Sequence, residues 1–460
     1  MVPESRFDRT DWIAFALAAM LVIWQVFLPP PIGLANNGDF AKVMGKFSLR
    51  VDLAESEAYF KYAGTHYVID PKYDWDPGFY NSEALLALIA VTAGRAWRGN
   101  GVFDIRFLGA IHAGLYLLAF GLALPLFHSF RAWPRRILIG LAILIFGDIM
   151  YAEYYNSFYT DAASLVFFFC AAVFFLRGKY SPPNRYRAAP FFLLCSCLFL
   201  LSKAQHAPLV VPLVLLAFSD SALVWPSRPI LSRILAAGAL AASGVFSFSS
   251  TPAGYSDPAL FNVIFTAVLP SGQEPSTDLR ELGLDDSYLR FHGIGAYKKG
   301  SPLLSTKESS YPFPGRTSYL KLSAFYLRHP VRTLQVLGLG LDQATYQRQF
   351  NLGNYAKSAG HPPDAKSYAF SLWSDLKLSV FADHGWFYLL YYLGSMAVII
   401  RRNMIFGLVL GLTAGLALAV GALADAAETT RHLLIFNHLL DLSVLFAAAS
   451  LLGSRRRDST

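Results

Sequence analysis

The chain has 460 residues, of which 54% are hydrophobic and only 15% charged, a balance that excludes an ordinary soluble globular protein. Its formal charge of +8 lies mostly in short connections between apolar runs, so it reads as a membrane-orientation signal and excludes a nucleic-acid footprint. Cys170, Cys195 and Cys197 all fall inside apolar runs, which points away from a disulfide framework or a zinc site.

Ten apolar runs are expected to cross the bilayer: 12–30, 105–127, 137–152, 161–176, 189–202, 206–219, 230–248, 386–400, 404–424 and 432–453. Each can span roughly 30 Å of hydrocarbon as a helix, given tilt and help from flanking aromatics. The first run ends at Pro29-Pro30-Pro31 without a small-residue cleavage site, and is expected to remain as an anchor. With a cytoplasmic N-terminus, alternation puts every basic cluster inside: Arg131/Arg135/Arg136, Arg177–Arg187, Arg228/Arg233, Arg401-Arg402 and Arg455–Arg457. The C-terminus is then cytoplasmic as well. The expectation is an all-α integral membrane protein with a transmembrane core at 1–248, whose first external loop is 31–104. A small external cap follows at 249–385, then C-terminal helices and a basic tail at 386–460.

Two segments are kept out of the count because one more crossing would invert the basic loops. Residues 83–97 and 318–341 are both read as external helices in the interface, the second broken at His329-Pro330. No internal repeat is apparent.

The alternate connections carry the candidate chemistry. Asn36-Asn37-Gly38-Asp39 offers a carboxylate that could act as general base, with two amides to bind hydroxyls; the plainer reading is an Asx-turn that starts a loop. Glu153, Tyr155, Asn156 and Asp161 sit in a Tyr-rich loop, where an aromatic belt explains the rings but not Asp161 at the head of an apolar run. Lys203 and Arg431 are cations on the face where topology does not call for them, beside His206 and His432. Cations at membrane depth are costly and usually serve a purpose, and both types bind phosphate; the alternative is structural pairing with Glu153, Asp425 or Glu428. Asn437, His438 and Asp441 could line the same cavity from deeper in the last run. Tyr73, Trp75, Tyr80 and Trp97 could stack on sugars or anchor at the interface.

Taken together, these features resemble the GT-C superfamily of polytopic glycosyltransferases. Asp39 matches that superfamily's acidic residue in the first external loop, and Ile105-Arg106-Phe107-Leu108-Gly109-Ala110 loosely matches the start of its second span. Asp161 matches the acidic residue opening the fourth span, and Ser202-Lys203-Ala204 in part matches its Lys-Gly-Pro turn. Asn36–Phe40, Tyr155–Tyr159, Phe261–Phe265 and Asp278–Leu284 are more specifically similar to bacterial hexose transferases of S-layer-type glycan biosynthesis. The likeness covers 1–220 as architecture, with local motifs at 255–300 and 425–440. Gln205-His206 stand where Gly-Pro is expected, and Asp39 lacks an adjacent acidic partner, which departs from a metal-dependent pattern.

The resemblance implies transfer of a sugar from a polyprenyl-phosphate donor to a lipid-linked glycan or other acceptor on the external face. Asp39 would be the base, and Lys203, Arg431 and His206 would hold the donor phosphate. Asn36, Asn37, Glu153, Tyr155, Asn156, Asp161 and Glu428 would contact sugar or acceptor. No metal ligand set is expected and no cofactor is required, although a divalent cation is compatible. The partners are the two lipid-linked substrates and the bilayer. The rivals are a lipid-linked glycan polymerase or ligase, and a lipid or glycan transporter, which would carry midplane charges and repeat symmetry.

Overall fold

The computed structural model describes residues 7–51, 59–73, 76–99, 101–181, 185–219, 228–252, 254–298, 301 and 316–453. The architecture is overwhelmingly helical. Helix α1 (Arg9–Val26) leads to a short α2 (Ala41–Met44), strands β1 (Leu49–Val51) and β2 (His66–Ile69), α3 (Glu83–Arg98), β3 (Val102–Asp104), and α4 (Arg106–Ala123). Then come α5 (Ala132–Phe146), α6 (Ile149–Ala152), α7 (Thr160–Tyr180), α8 (Arg185–Leu200), α9 (Val210–Ser219) and α10 (Pro229–Ser249). The remainder comprises α11 (Asp257–Asn262), α12 (Pro275–Glu281), α13 (Tyr319–Arg328), α14 (Pro330–Thr345) and α15 (Leu372–Phe381). The chain closes with α16 (Gly385–Arg402), α17 (Met404–Leu423), α18 (Thr429–His432) and α19 (Leu434–Leu452).

Among the described residues, six helices are long and apolar enough to cross a membrane: α1, α4 with its 3₁₀ extension to Ser129, α7, α10, α17 and α19. The other four expected spans are helical but less regular. Run 137–152 breaks at Gly147, where the Asp148 side chain accepts the Met150 N–H and starts α6. Run 206–219 opens as a 3₁₀ turn containing Pro208 before α9. Helix α8 has 16 residues with Pro190 inside, and α16 ends in Arg401-Arg402.

The all-α expectation needs one correction. Strands β1, β2 and β3 form an antiparallel sheet, with Arg50 opposite Val68 and Tyr67 opposite Phe103. Strands of three or four residues carry too little alternation to be read from sequence. The sheet buries Tyr67 and Phe103 against Phe158, which also packs edge-on against Phe40, the residue after Asp39.

Two cores exist. The larger is the helix bundle, centred on α7, whose first twelve residues are all buried. The smaller is built by Phe261, Val263–Phe265, Leu279, Leu282, Phe291 and Phe325, and joins α11 and α12 to α13 and α14. Helices α13 and α14 meet at His329-Pro330, because proline cannot donate the next helical hydrogen bond.

Among the described residues, Arg135 and Lys179 lie at the opposite end of the helices from the polar turns. Arg135 bonds Asp8 and Asp11 at the start of α1. Phe175 near the end of α7 stacks on Phe406 at the start of α17, and Lys179 lies over the same ring. Phe130 packs at Gly453, after α19. The Asp39 loop, Asp161, Lys203 and Arg431 lie together at the other end.

Gly109 in α4 is required by close approach. A Cβ there would sit 2.1 Å from Asn156 Oδ1. Gly109→Ala is therefore expected to lower the melting temperature, costing about 1–3 kcal/mol of stability; an unchanged unfolding transition in detergent would contradict this contact.

Candidate active site

The site begins where α1 ends. Asn36 Oδ1 accepts the Gly38 N–H at 2.7 Å and Asn37 Oδ1 accepts the Asp39 N–H at 2.9 Å, two successive Asx-type turns. Gly38 takes φ +109°, a conformation that side chains rarely adopt. The turn presents Asp39 to the guanidinium of Arg431, Nη2 to Oδ2 at 2.6 Å, while Lys42 bonds the other oxygen.

Arg431 is the hub. It donates from Nη1 to Asp161 Oδ2 at 2.9 Å and from Nε to Glu428 Oε2 at 2.9 Å, and its side chain is 4% exposed. Its guanidinium lies 4.8 Å from the centroid of the Tyr159 ring. Asp161 also accepts from Lys203 Nζ at 3.0 Å. Three carboxylates (Asp39, Asp161, Glu428) thus meet three cations (Lys42, Lys203, Arg431), which is what allows so many charges to leave water together.

Glu428 adopts a left-handed φ of 53°. That backbone is costly for a residue with a side chain, and Glu428 is held there by Asn37 Nδ2, which donates to Oε2 at 2.7 Å, and by Arg431. The Asn37 N–H donates to the Tyr159 hydroxyl, which donates in turn to the Ala35 carbonyl.

Asp39 feels opposing influences: burial raises its pKa, but Lys42 and Arg431 outweigh it and hold the carboxyl well below the usual range. Burial holds Lys203 below the ordinary lysine range, against the pull of Asp161. Burial also drives His432 well below an ordinary imidazole, helped by Lys203 and Arg431. Its Nδ1 faces Asp425 Oδ2 at 3.5 Å.

Asp425 itself is pushed up to about 6, chiefly by burial, against the Ala427 N–H that bonds it. A carboxyl whose pKa is raised on folding contributes stability in its protonated form, present below the unfolded value near 4 and lost as pH rises through 6. Asp425→Asn, which mimics the protonated form, is therefore expected to flatten the fall in melting temperature between about pH 4 and pH 6. Parallel profiles for the two proteins would refute the assignment.

The expected residues divide. Asn36, Asn37, Asp39, Asp161, Lys203, Glu428 and Arg431 converge. His206 is adjacent but turned inward: it bonds Ser164 Oγ at 3.0 Å and stacks on Phe199, apart from the ion pairs. Glu153 belongs to a different network, pairing with Arg348 at 2.6 Å and accepting from Asn354. Asn156 ties the backbone together, donating to the Val26 and Ile32 carbonyls. Tyr155 packs among Tyr116, Phe146 and Phe169 in the bundle core, and its carbonyl accepts from His112.

The deeper residues form no part of the cluster either. Asp441 pairs with Lys377 and accepts from Tyr151 and Trp373, Asn437 bonds Tyr388, and His438 is enclosed by aromatic rings. Of the four aromatics in the first loop, Tyr80 and Trp97 are exposed and Trp75 lies outside the described residues. Lys42 is a site residue that sequence reasoning did not single out; Tyr159 entered only within the Tyr155–Tyr159 motif and Asp425 only as a structural partner for the two cations.

No metal-type cluster coincides with this site among the described residues; Arg431 occupies the space between its carboxylates. Asp8, Asp11 and His128 bring ligand atoms within 4.8 Å of one another, but at the far end of α1, where Arg135 bonds both aspartates. The cysteines are free thiols.

Residues 5–459 match the family described as the YfdI N-terminal transmembrane domain. The chain belongs to that family. It is accordingly an integral membrane protein, in agreement with its apolar helices. No curated protein and no solved structure matches it.

Proposed function

We propose that this YfdI-family protein is a membrane glycosyltransferase of inverting type, acting with a polyprenyl-phosphate sugar as donor. The observation that carries the reading is the Arg431 hub, which draws Asp39, Asp161 and Glu428 to one end of the helices beside Lys203 and Lys42. Buried charge of this density is expensive to assemble for stability alone. Its position at the ends of apolar helices suits a substrate whose phosphate rides at interface depth.

In this reading the acceptor hydroxyl oxygen attacks the anomeric carbon of the donor sugar. A glycosidic C–O bond forms, the bond from that carbon to the phosphate oxygen breaks, and its electron pair leaves with polyprenyl phosphate. The hydroxyl proton passes to Asp39. Lys203 and Arg431 stabilise the phosphate as charge builds on it. Asn36 and Asn37 set the Asp39 turn, and Glu428 keeps Arg431 aligned.

The orientation proposed here puts this end of the bundle outside the cytoplasmic membrane and the basic turns in the cytoplasm. Nucleotide sugars are absent outside, so a lipid-linked donor is the available form of activated sugar. Ten crossings, counting the four less regular helices, would satisfy both ends. Segment 249–385 would then form a cap beside the site. The GT-C resemblance of the sequence motifs points the same way, and narrows to hexose transfer through the Asn36–Phe40 and Tyr155–Tyr159 motifs.

The test is purified protein in lipid, supplied with a panel of polyprenyl-phosphate hexoses and glycan acceptors, with products detected by mass. A new glycosidic bond from a monophosphate-linked hexose is the expected result. Activity only with pyrophosphate-linked oligosaccharides would replace this reading with a polymerase or ligase. Movement of substrate across vesicles without bond formation would replace it with transport.

A further inference from the structure

Lys42 has a distinctive place beside the cluster. It lies in α2, three residues after Asp39, and bonds Asp39 Oδ1. Its ammonium is 4.5 Å from the centroid of the Tyr255 ring and 5.7 Å from that of Phe79. Phe79 and Tyr255 meet at 5.1 Å, and Tyr80 and Phe246 make a second ring pair at 6.2 Å. These pairs form a seam between the start of α3 and the end of α10. Apolar side chains flank the seam: Val245 is 68% exposed, Phe248 70% and Leu85 52%.

The cations in the cluster are already committed. Arg431 serves three carboxylates and Lys203 serves Asp161. An arriving anion therefore competes with a carboxylate for one of these cations. Asp39 is the most accessible of the three acids, at 25% side-chain exposure against 14% for Glu428 and 5% for Asp161. Lys42 holds that acid on the side facing the seam. The two rings attract the ammonium through their faces wherever it moves locally, so a change of partner needs only a small displacement of Nζ.

Resting on the glycosyltransferase reading, we propose that Lys42 is a donor-phosphate ligand that exchanges Asp39 for the phosphate as the polyprenyl chain enters along the seam. The exchange makes and breaks no covalent bond, and Lys42 keeps its protons throughout. Its effect is to release Asp39 Oδ1 toward the acceptor hydroxyl. Donor binding therefore precedes acceptor activation, and an empty site holds its base masked.

The experiment measures binding of polyprenyl phosphate, without sugar, to the full-length protein in lipid nanodiscs, and then donor kinetics. Lys42→Gln is expected to weaken binding about tenfold or more, as loss of a charged hydrogen bond does. Donor KM should rise by a similar factor while kcat at saturating donor stays within about threefold. Lys42→Arg should recover much of the affinity. Arg50→Gln, which removes the pair with Asp70 in the small sheet, should leave binding unchanged.

Wild-type affinity in Lys42→Gln overturns the proposal, as does a fall in kcat with KM unchanged. Asp39→Asn frees both Lys42 and Arg431 from that carboxylate and should tighten polyprenyl phosphate binding. Should Lys42→Gln alone fail to fold, the double variant Asp39→Asn/Lys42→Gln carries the test. It is expected to bind about tenfold more weakly than Asp39→Asn, and equal binding overturns the exchange. A wild-type protein that ignores polyprenyl phosphate altogether removes the donor assignment itself, a result distinct from failure of Lys42 alone.

Discussion

Arg431→Met is expected to abolish sugar transfer and to produce the largest loss of stability of any single change at the site. The substitution leaves Asp39, Asp161 and Glu428 around an apolar side chain, with Lys42 bonded to Asp39, Lys203 to Asp161 and no cation bonded to Glu428. Removing one partner from a buried charge pair typically costs about 3–5 kcal/mol, and here three acids lose the same partner. Arg431→Lys should rescue little. A single ammonium cannot reproduce a planar fork that donates from Nε, Nη1 and Nη2 to three different residues. Melting temperature in detergent and transfer activity are the two measurements. A variant with wild-type melting and activity would show that the hub is ornamental.

The second large effect is on chemistry with the fold preserved. Asp39→Asn should reduce transfer by about 10²–10⁴-fold, the range associated with loss of a positioned base. Its side chain is partly exposed at a loop, and the Asn36 and Asn37 turns bond backbone N–H groups that the substitution does not touch. Melting should therefore change far less than for Arg431→Met. If Asp39→Asn elongates its glycan normally, the proton passes elsewhere. The imidazole of His432, facing Asp425, would be the next group to examine.

Much of the site was legible because its charges break the local pattern. Lys203 and Arg431 are cations among connections otherwise short of them, and Asp161 is an acid heading a long apolar run; each is hard to explain by orientation alone. Lys42 was not legible, since a lysine three residues after an aspartate looks like an exposed pair on any amphipathic turn. The Glu153–Asp161 loop misled for a geometric reason. Its residues are adjacent in sequence, but the turns from Ile149 to Thr160 aim Glu153 toward Arg348, Asn156 toward the end of α1, and Tyr159 and Asp161 toward the hub. The helices were legible from apolar runs, whereas the three short strands depend on pairing across intervening residues that no local pattern announces.

The Asp39 loop is also gripped from far along the chain. Gly33 and Ala35 donate to the Asn354 and Gly353 carbonyls, Gly353 donates to Phe60, and Ala63 donates to Tyr355. A Cβ on Gly353 would fall 2.0 Å from the Lys61 carbonyl oxygen, so the passage admits only glycine. Beneath it, Arg348 and Asn354 lock onto Glu153. The divisions drawn at 248 and 385 are thus boundaries on paper for this loop. A protein split between α10 and α11 and expressed as two chains would have to reassemble before Asp39 had a fixed position. Nor could a ribosome-bound chain fix its Asp39 loop in place until some 315 further residues had been made.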